Sequence, residues 1–400
     1  MADLADKRIV LGLTGGIACY KIAELLRRMI EQGAQVDVVM TEAATHFITP
    51  VTMQALSGRT VFVDAWDARM ANNMPHIDLT RGADLVLIAP ASADFMAKLA
   101  HGMADDLLST LCLARPCPMA VVPAMNREMW EKPPTQRNVA QLRADGVAIF
   151  GPASGDQACG ETGDGRMLEP ADILADVVAE LAEKSLEGVR ILLTAGPTSE
   201  PVDPVRVLTN RSSGKTGYAL ARAAREAGAT VTLVTGPTAL PLPRGITVVP
   251  AHTARQMHSA VIQHAGEADI FIGVAAVADW HITNVSAQKH KKDAEGHAPA
   301  LAFAPNPDIL AEVAALADGP WCVGFAAETE KLAEHAEAKR RRKGVPLLVG
   351  NLAQNVMDAD STELVLFDEA GAHPLPAASK RDAAVRLLSE IATRYRARRR

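Results

Sequence analysis

The chain has 400 residues, 48% hydrophobic and 22% charged, a balance that excludes a disordered polymer and predicts two domains of ordinary size. With 41 basic and 47 acidic residues the net charge is −6, which argues against nucleic acid as the main partner. No uninterrupted apolar run reaches about 18 residues, and the start, Met1 to Lys7, lacks a basic segment followed by an apolar one, so neither a membrane span nor export is expected.

Arg8-Ile9-Val10-Leu11-Gly12-Leu13 reads as a buried strand, followed by the small-residue turn Thr14 to Ala18. A helix from about Tyr20 to Gln32 comes next, with Ile22, Leu25, Leu26 and Met29 on one face and Gly33 as its stop. Val36 to Met40 is the second strand. Leu85 to Ala89 and Met119 to Val122 are further strands, each running into a proline-containing loop at Pro90 and Pro123. Ligands in such sheets sit beyond the carboxyl ends of the strands, so these loops are where chemistry is expected. An Ala/Glu-rich helix from about Ala171 to Lys184 closes the first half. Val189 to Thr194 then opens a second unit with its own Gly196-Pro197 loop. A helix from Lys215 to Ala227, a strand from Thr230 to Thr235, a helix from Ala254 to His264 and a strand from Asp269 to Val274 follow. The alternation predicts an α/β protein of two doubly wound, Rossmann-like domains, residues 1–187 and 188–400. The polar, Lys/His-rich stretch Val285 to Pro299 is expected to be a mobile flap. The basic tail Arg394 to Arg400 reads as a solvated, fraying helix end.

Five cysteines (Cys19, Cys112, Cys117, Cys159 and Cys322) are scattered without a C-x-x-C pair, which excludes a disulfide framework and a structural zinc site and fits a reduced, cytoplasmic protein. Gly12-x-x-Gly15-Gly16 falls short of G-x-G-x-x-G, yet the helix start behind it offers free N–H groups to an anion. Ser212-Ser213-Gly214-Lys215-Thr216 imitates a Walker A loop, but the position of its first glycine holds Thr209, which excludes a P-loop NTPase. A phosphate site at the helix start near Gly214 remains sensible, because hydroxyls, glycines and a lysine gather there.

Gly15 to Lys21, Ala89-Pro90-Ala91-Ser92-Ala93-Asp94, Pro123-Ala124-Met125-Asn126-Arg127-Glu128-Met129-Trp130 and Ala158-Cys159-Gly160-Glu161-Thr162-Gly163-Asp164-Gly165-Arg166-Met167 together resemble the flavin-dependent cysteine decarboxylases, a flavodoxin-like flavoprotein family. Asp203-Pro204-Val205-Arg206, Thr209 to Lys215, Ala275 to Trp280, Lys289-His290-Lys291-Lys292 and Asn306-Pro307-Asp308-Ile309-Leu310 resemble phosphopantothenoylcysteine synthetase, a CTP-dependent ligase. The order and extent of these segments resemble the bacterial bifunctional coenzyme A biosynthesis family. Arg211 stands where that family has a smaller or imidazole-bearing residue.

The resemblance implies FMN in the first half, with Gly15, Gly16, Ser92 and Met125 among its contacts, Asn126 on the substrate carboxylate, Cys159 as proton donor and His76 as base or orienter. A neutral amide suits a carboxylate that must leave, since a cation would stabilise the ground state. On the residues alone, Asn126 reads equally well as a helix N-cap. Cys159 sits among glycines and acids typical of an exposed loop, whereas Cys112 and Cys117 lie beside apolar residues and read as structural. For the second half the resemblance implies CTP, magnesium at Asp279, and nucleotide contacts at Asp279, Asn306, Pro307, Asp308, Ile309 and Phe325. Lys339 and Lys343, one helical turn apart, face one anion on this reading. Lys289 neutralises charge at the α-phosphorus, Asn210 serves the attack of cysteine, and Arg206 and Gly214 contact substrate. The substrates implied are 4'-phosphopantothenate, cysteine and CTP, and the assembly implied is a homo-oligomer, in the family a dodecamer with FMN between subunits. Two other readings stand beside this one: a flavin-dependent cysteine decarboxylase of another pathway, disfavoured by the ligase-like second half, and a non-catalytic regulatory flavoprotein.

Overall fold

A computed structural model describes residues 3–66, 74–158, 160–291, 299–352 and 361–398. The chain forms two compact units, residues 1–181 and 182–400. The stretch after Leu181 already belongs to the second: Leu186 is buried in that unit's core, and its amide donates to the Ala227 carbonyl at 2.8 Å.

The first unit is built on six parallel strands: β1 (Arg8–Leu13), β2 (Gln35–Met40), β3 (Val61–Phe62), β4 (Leu85–Ala91), β5 (Met119–Pro123) and β6 (Ala148–Ile149). Their order, β3-β2-β1-β4-β5-β6, is that of a dinucleotide-binding sheet, with its switch point between β1 and β4. Near-continuous apolar sequence is required because both faces are covered. Ile9, Leu11 and Leu13 face Ile22, Leu25, Leu26 and Met29 of the helix Ile22–Glu31. Val10, Val86 and Ile88 face Phe95, Leu108 and Leu111 on the other side. Gly12 is needed for that contact, since a Cβ there would lie 2.6 Å from both Ile88 Cδ1 and Leu108 Cδ1. The helix expected from Tyr20 is divided: Ile17–Lys21 is a tighter 3-10 turn and the α-helix begins at Ile22. A two-stranded hairpin, β7 (Ala153–Asp156) and β8 (Thr162–Arg166), stands apart from the sheet.

The second unit repeats the plan. Its strands are β9 (Arg190–Ala195), β10 (Ser199–Pro201), β11 (Val207–Thr209), β12 (Thr230–Thr235), β13 (Thr247–Pro250), β14 (Ile270–Gly273), β15 (Trp280–Ile282), β16 (Phe303–Pro305), β17 (Trp321–Glu328), β18 (Leu347–Leu352), β19 (Ser361–Asp368) and β20 (Gly371–Ser379). The main sheet runs β13-β12-β9-β14-β17-β18-β19-β20, parallel except for the last two strands, and β10/β11 and β15/β16 are small hairpins. Helices Lys215–Glu226 and Lys380–Arg398 cover one face, through Tyr218, Leu220, Leu387 and Ile391. The other face meets Met257, Val261 and Val313.

Two expectations change. The basic tail is no fraying end as far as Arg398, because Arg394 pairs with Asp368 at 3.0 Å and with Glu390. The expected flap begins as an anchored strap: the Ser286 amide donates to Val202 O at 3.2 Å and the His290 amide to Asp203 Oδ2 at 3.1 Å. Residues 292–298 lie outside the described residues. Among the described residues no helix is long and apolar enough to cross a membrane.

Candidate active sites

In the first unit the loops after β1, β4 and β5 meet at the switch point around a cavity of about 650 Å³. Thr14 ties two of them, its Oγ1 donating to Pro90 O at 2.7 Å and accepting from the Ser92 amide at 2.9 Å. Ser92 in turn caps the helix Ala93–Ala100. Gly15, Gly16, Ser92, Met125 and Asn126 all line the cavity, so the expected cofactor contacts converge. A Cβ added at Gly16 would meet nothing within 4 Å, so a ligand can approach the backbone closely there. Lys21 is the cation nearest this turn in sequence, but its Nζ is committed to Met167 O at 3.2 Å and Glu169 at 2.8 Å.

The β7–β8 hairpin closes one side. Met125 N donates to Gly165 O at 2.9 Å, and Arg127 N to Gln157 Oε1 at 2.9 Å. Gly165 and Gly163 have positive φ, and side chains there would strike Met125 O and Arg127 Cδ at 2.5 and 2.3 Å. Asn126 fulfils one reading of its sequence directly: it caps the helix Arg127–Glu131, its Oδ1 accepting from Glu128 N at 2.8 Å. Its Nδ2 donates to Glu161 Oε2 at 2.6 Å, so the protein's own carboxylate already occupies the amide. The motif alone assigns Glu161 no role; only the folded hairpin brings it to Asn126. Cys159 lies outside the described residues. His76, on the helix Pro75–Thr80, is not among the residues lining the cavity. Burial pushes the Cys19 thiol up to about 11 and the Cys112 thiol to about 12, which leaves both protonated and inert.

In the second unit two cavities adjoin at the carboxyl ends of β9, β14 and β17. One, of about 250 Å³, gathers Asp279, Asn306, Pro307, Asp308, Ile309, Phe325, Lys339 and Lys343, every nucleotide contact expected except Lys289. Asn306 is fixed by its amide, which donates to Asp279 O at 2.8 Å, and by Nδ2, which donates to Ala278 O at 2.9 Å. Its Oδ1 is buried and has no hydrogen-bond partner among the described residues. Lys339 Nζ donates to Phe325 O at 3.0 Å, and burial, with the nearby Lys343 and Arg342, lowers its pKa. Lys343 pairs with Asp308, so this turn of helix presents less unbalanced charge than its sequence suggests. Among the described residues no group of three or more His, Cys, Asp or Glu side chains could hold a metal ion.

The second cavity, of about 340 Å³, is lined by Gly196, Ser212 to Gly217 and Ala275 to Val277. Asn210 borders it, Nδ2 donating to Ala276 O at 3.0 Å. Arg206 and Lys289 line neither cavity. Arg206 belongs instead to a construction organised by Asp203, whose side chain is fully buried and which also holds His290, the residue after Lys289. Asp203 accepts from Val205 N at 2.8 Å, Arg206 N at 2.9 Å, Arg206 Nη1 at 2.8 Å and His290 N at 3.1 Å. Burial alone would raise its pKa; those donors outweigh it and hold the carboxyl at about 2. The motif alone assigns Asp203 no role, although an Asp directly before Pro204 is a turn signal and its Oδ1 accepts from the amide two residues on.

Residues 2–182 match the family model described as Flavoprotein, and residues 186–395 match the DNA/pantothenate metabolism flavoprotein C-terminal domain. Curated relatives called coenzyme A biosynthesis bifunctional protein CoaBC resemble the chain over nearly its whole length. The Vibrio cholerae protein is 48% identical over 95% of this chain and 96% of its own, and the Escherichia coli protein 48% over 98% of both. The Bacillus subtilis protein is 39% identical over 97% of both. The chain belongs to the bifunctional coenzyme A biosynthesis family, with a flavin-binding unit followed by a pantothenate-metabolism unit.

Proposed function

We propose that this protein joins 4'-phosphopantothenate to cysteine at the expense of CTP in its second unit, and decarboxylates the product with FMN in its first. One observation carries the reading: the two units hold ligand cavities of opposite chemistry. The front one is mainly apolar and close to 650 Å³, in the range of pockets that take a planar cofactor. The rear pair is lined by Arg211, Lys215, Lys339, Lys343 and Lys380, as a triphosphate demands.

In the rear unit the phosphopantothenate carboxylate attacks the α-phosphorus of CTP, the bond to the β-phosphate breaks and pyrophosphate leaves. The cysteine amine then attacks the acyl carbon, loses a proton and expels CMP. Lys289 offsets charge developing at the α-phosphorus, and Asn210 orients the second attack. Magnesium bound at Asp279 would draw the rest of its oxygen ligands from phosphates and water, as a hard ion does when one carboxylate is offered. Asn306 Oδ1 suits an exocyclic amino group of the base and penalises a base that presents a carbonyl oxygen instead.

In the front unit FMN supplies a reversible two-electron oxidation of the substrate's thiol side, which makes loss of carbon dioxide feasible. Asn126 holds the carboxylate in exchange for Glu161. Cys159 returns a proton, and an unperturbed thiol with a pKa near about 8.5 is protonated and able to do so. Because His76 stands outside its own chain's cavity, a homo-oligomer with FMN between subunits fits the site best, in a cytoplasmic setting. The test is pyrophosphate release with phosphopantothenate, cysteine, magnesium and each nucleotide in turn. CTP is expected to support turnover at least tenfold better than UTP or ATP; equal rates would overturn the nucleotide assignment.

A further inference from the structure

We propose that Asp203 is a positioning residue for the activation of the acid substrate: through the strap it anchors, it sets where Lys289 stands. The inference rests on the ligase reading above. Lys289 is exposed and lines neither rear cavity, so its own contacts do not place it. What the structure fixes is the backbone around it. On one side Ser286 N donates to Val202 O at 3.2 Å, and Ser286 Oγ donates to Gln288 O at 2.6 Å while accepting from Gln288 N at 3.2 Å. On the other side His290 N donates to Asp203 Oδ2 at 3.1 Å, and His290 O accepts from Arg206 Nη1 at 3.2 Å. Lys289 stands between two held residues with its side chain in solvent. A long, flexible lysine placed in this way reaches one spot repeatedly, because little but its own rotamers remains to be ordered.

The anchor is the tip of the β10–β11 hairpin, and the base of that hairpin is tied to a cavity wall. Thr198, fully buried, donates its amide to Ala276 O at 3.2 Å, and its Oγ1 accepts from Ala278 N at 2.9 Å. Thr209 Oγ1 closes the base by donating to Thr198 O at 2.7 Å, and Asn210, next in the chain, donates to Ala276 O. Ala276 lines the cavity of about 340 Å³. One hairpin thus carries Asn210, assigned to the attack of cysteine, at its base and the anchor of the Lys289 segment at its tip. Within Asp203 the two oxygens divide the work. Oδ1 accepts from Val205 N and Arg206 N and so makes the turn, whereas Oδ2 accepts from Arg206 Nη1 and His290 N and so holds the strap. Only a carboxylate offers acceptors on both sides, which accounts for a buried charge at this place.

The experiment separates the two half-reactions in the full-length, flavin-loaded protein. The pyrophosphate burst without cysteine reports activation, and the reaction of cysteine with supplied acyl-cytidylate reports the second attack. Asp203→Asn keeps Oδ1 for the turn but sets Nδ2 against the His290 N–H, donor against donor, so the strap is released while the turn stays. Activation is expected to slow between about 10- and 100-fold, as displacing a catalytic group by about 1 Å does, with KM for CTP and the second step within about twofold of wild type. Ser286→Ala removes the hydroxyl that fixes Gln288 and leaves the buried carboxylate alone. It is expected to give the same signature at about threefold or more, and it decides the matter if Asp203→Asn fails to fold. Equal slowing of both steps would show that the hairpin is scaffold only, and undiminished activation in both variants would show that Lys289 needs no anchor; either result overturns the proposal. A wild-type protein that releases no pyrophosphate would refute the ligase reading, and the proposal with it.

Discussion

Replacing Asn126 with aspartate probes the front site where one atom changes the chemistry. The substitution conserves shape and keeps the helix cap, because Oδ1 still accepts from Glu128 N. It replaces the donor that lies 2.6 Å from Glu161 with a second carboxylate oxygen. Two unit charges centred about 4 Å apart repel by about 4 kcal/mol at an effective dielectric of about 20. Both groups are partly exposed, so screening reduces this to about 2 kcal/mol. A substrate carboxylate brought to the same place meets the same repulsion and loses a hydrogen bond of about 1–2 kcal/mol. The decarboxylation of supplied phosphopantothenoylcysteine is then expected to fall between about 10²- and 10³-fold, with the flavin absorbance retained. Adding Glu161→Gln relieves the clash between the two side chains and returns part of the rate, roughly tenfold, without restoring it. An Asn126→Asp protein within tenfold of wild type would show that the amide does not handle the carboxylate.

Asn210→Asp or Lys289→Gln is expected to abolish pyrophosphate release while decarboxylation of supplied intermediate survives; loss of both activities would contradict separable sites. The Asp203 carboxyl, at about 2 against about 3.9 when unfolded, stabilises the strap fully above about pH 4 and loses that contribution as pH falls toward 2. Exchange of the His290 amide, corrected for its intrinsic pH dependence, is therefore expected to accelerate between pH 4 and 2, and in Asp203→Asn to be fast throughout; identical profiles would refute the anchor. Gly236→Ala would set a Cβ 1.7 Å from Pro197 O. The Gly196–Thr198 loop must then move, at a cost of about 1–3 kcal/mol, seen as a lower melting temperature of the rear unit with decarboxylation unchanged.

Strands β1, β2, β4, β5, β9, β12 and β14 are legible in the sequence because parallel strands covered on both faces are written as apolar runs. β19 and β20 are not. β20 carries Pro374 and Pro376, which a strand tolerates only because it lies at the edge of the sheet. Residues on strand-end loops, such as Asn126 and Asn306, can be found from motif position. Glu161 and Asp203 act by closing contacts across 35 and 87 residues, which no local pattern records. The 3-10 turn at Ile17–Lys21 replaces an expected helical turn where Lys21 is drawn to Met167 and Glu169.

One chain carries two chemistries in succession. The most direct measurement is a stopped time course on the purified, full-length protein supplied with CTP, magnesium, phosphopantothenate and cysteine, recording the visible flavin spectrum, pyrophosphate and carbon dioxide together. It is expected to show a yellow protein that releases pyrophosphate first and an equal amount of carbon dioxide after a lag. Carbon dioxide without pyrophosphate, or pyrophosphate from a protein that neither holds nor can be reloaded with flavin, would contradict it.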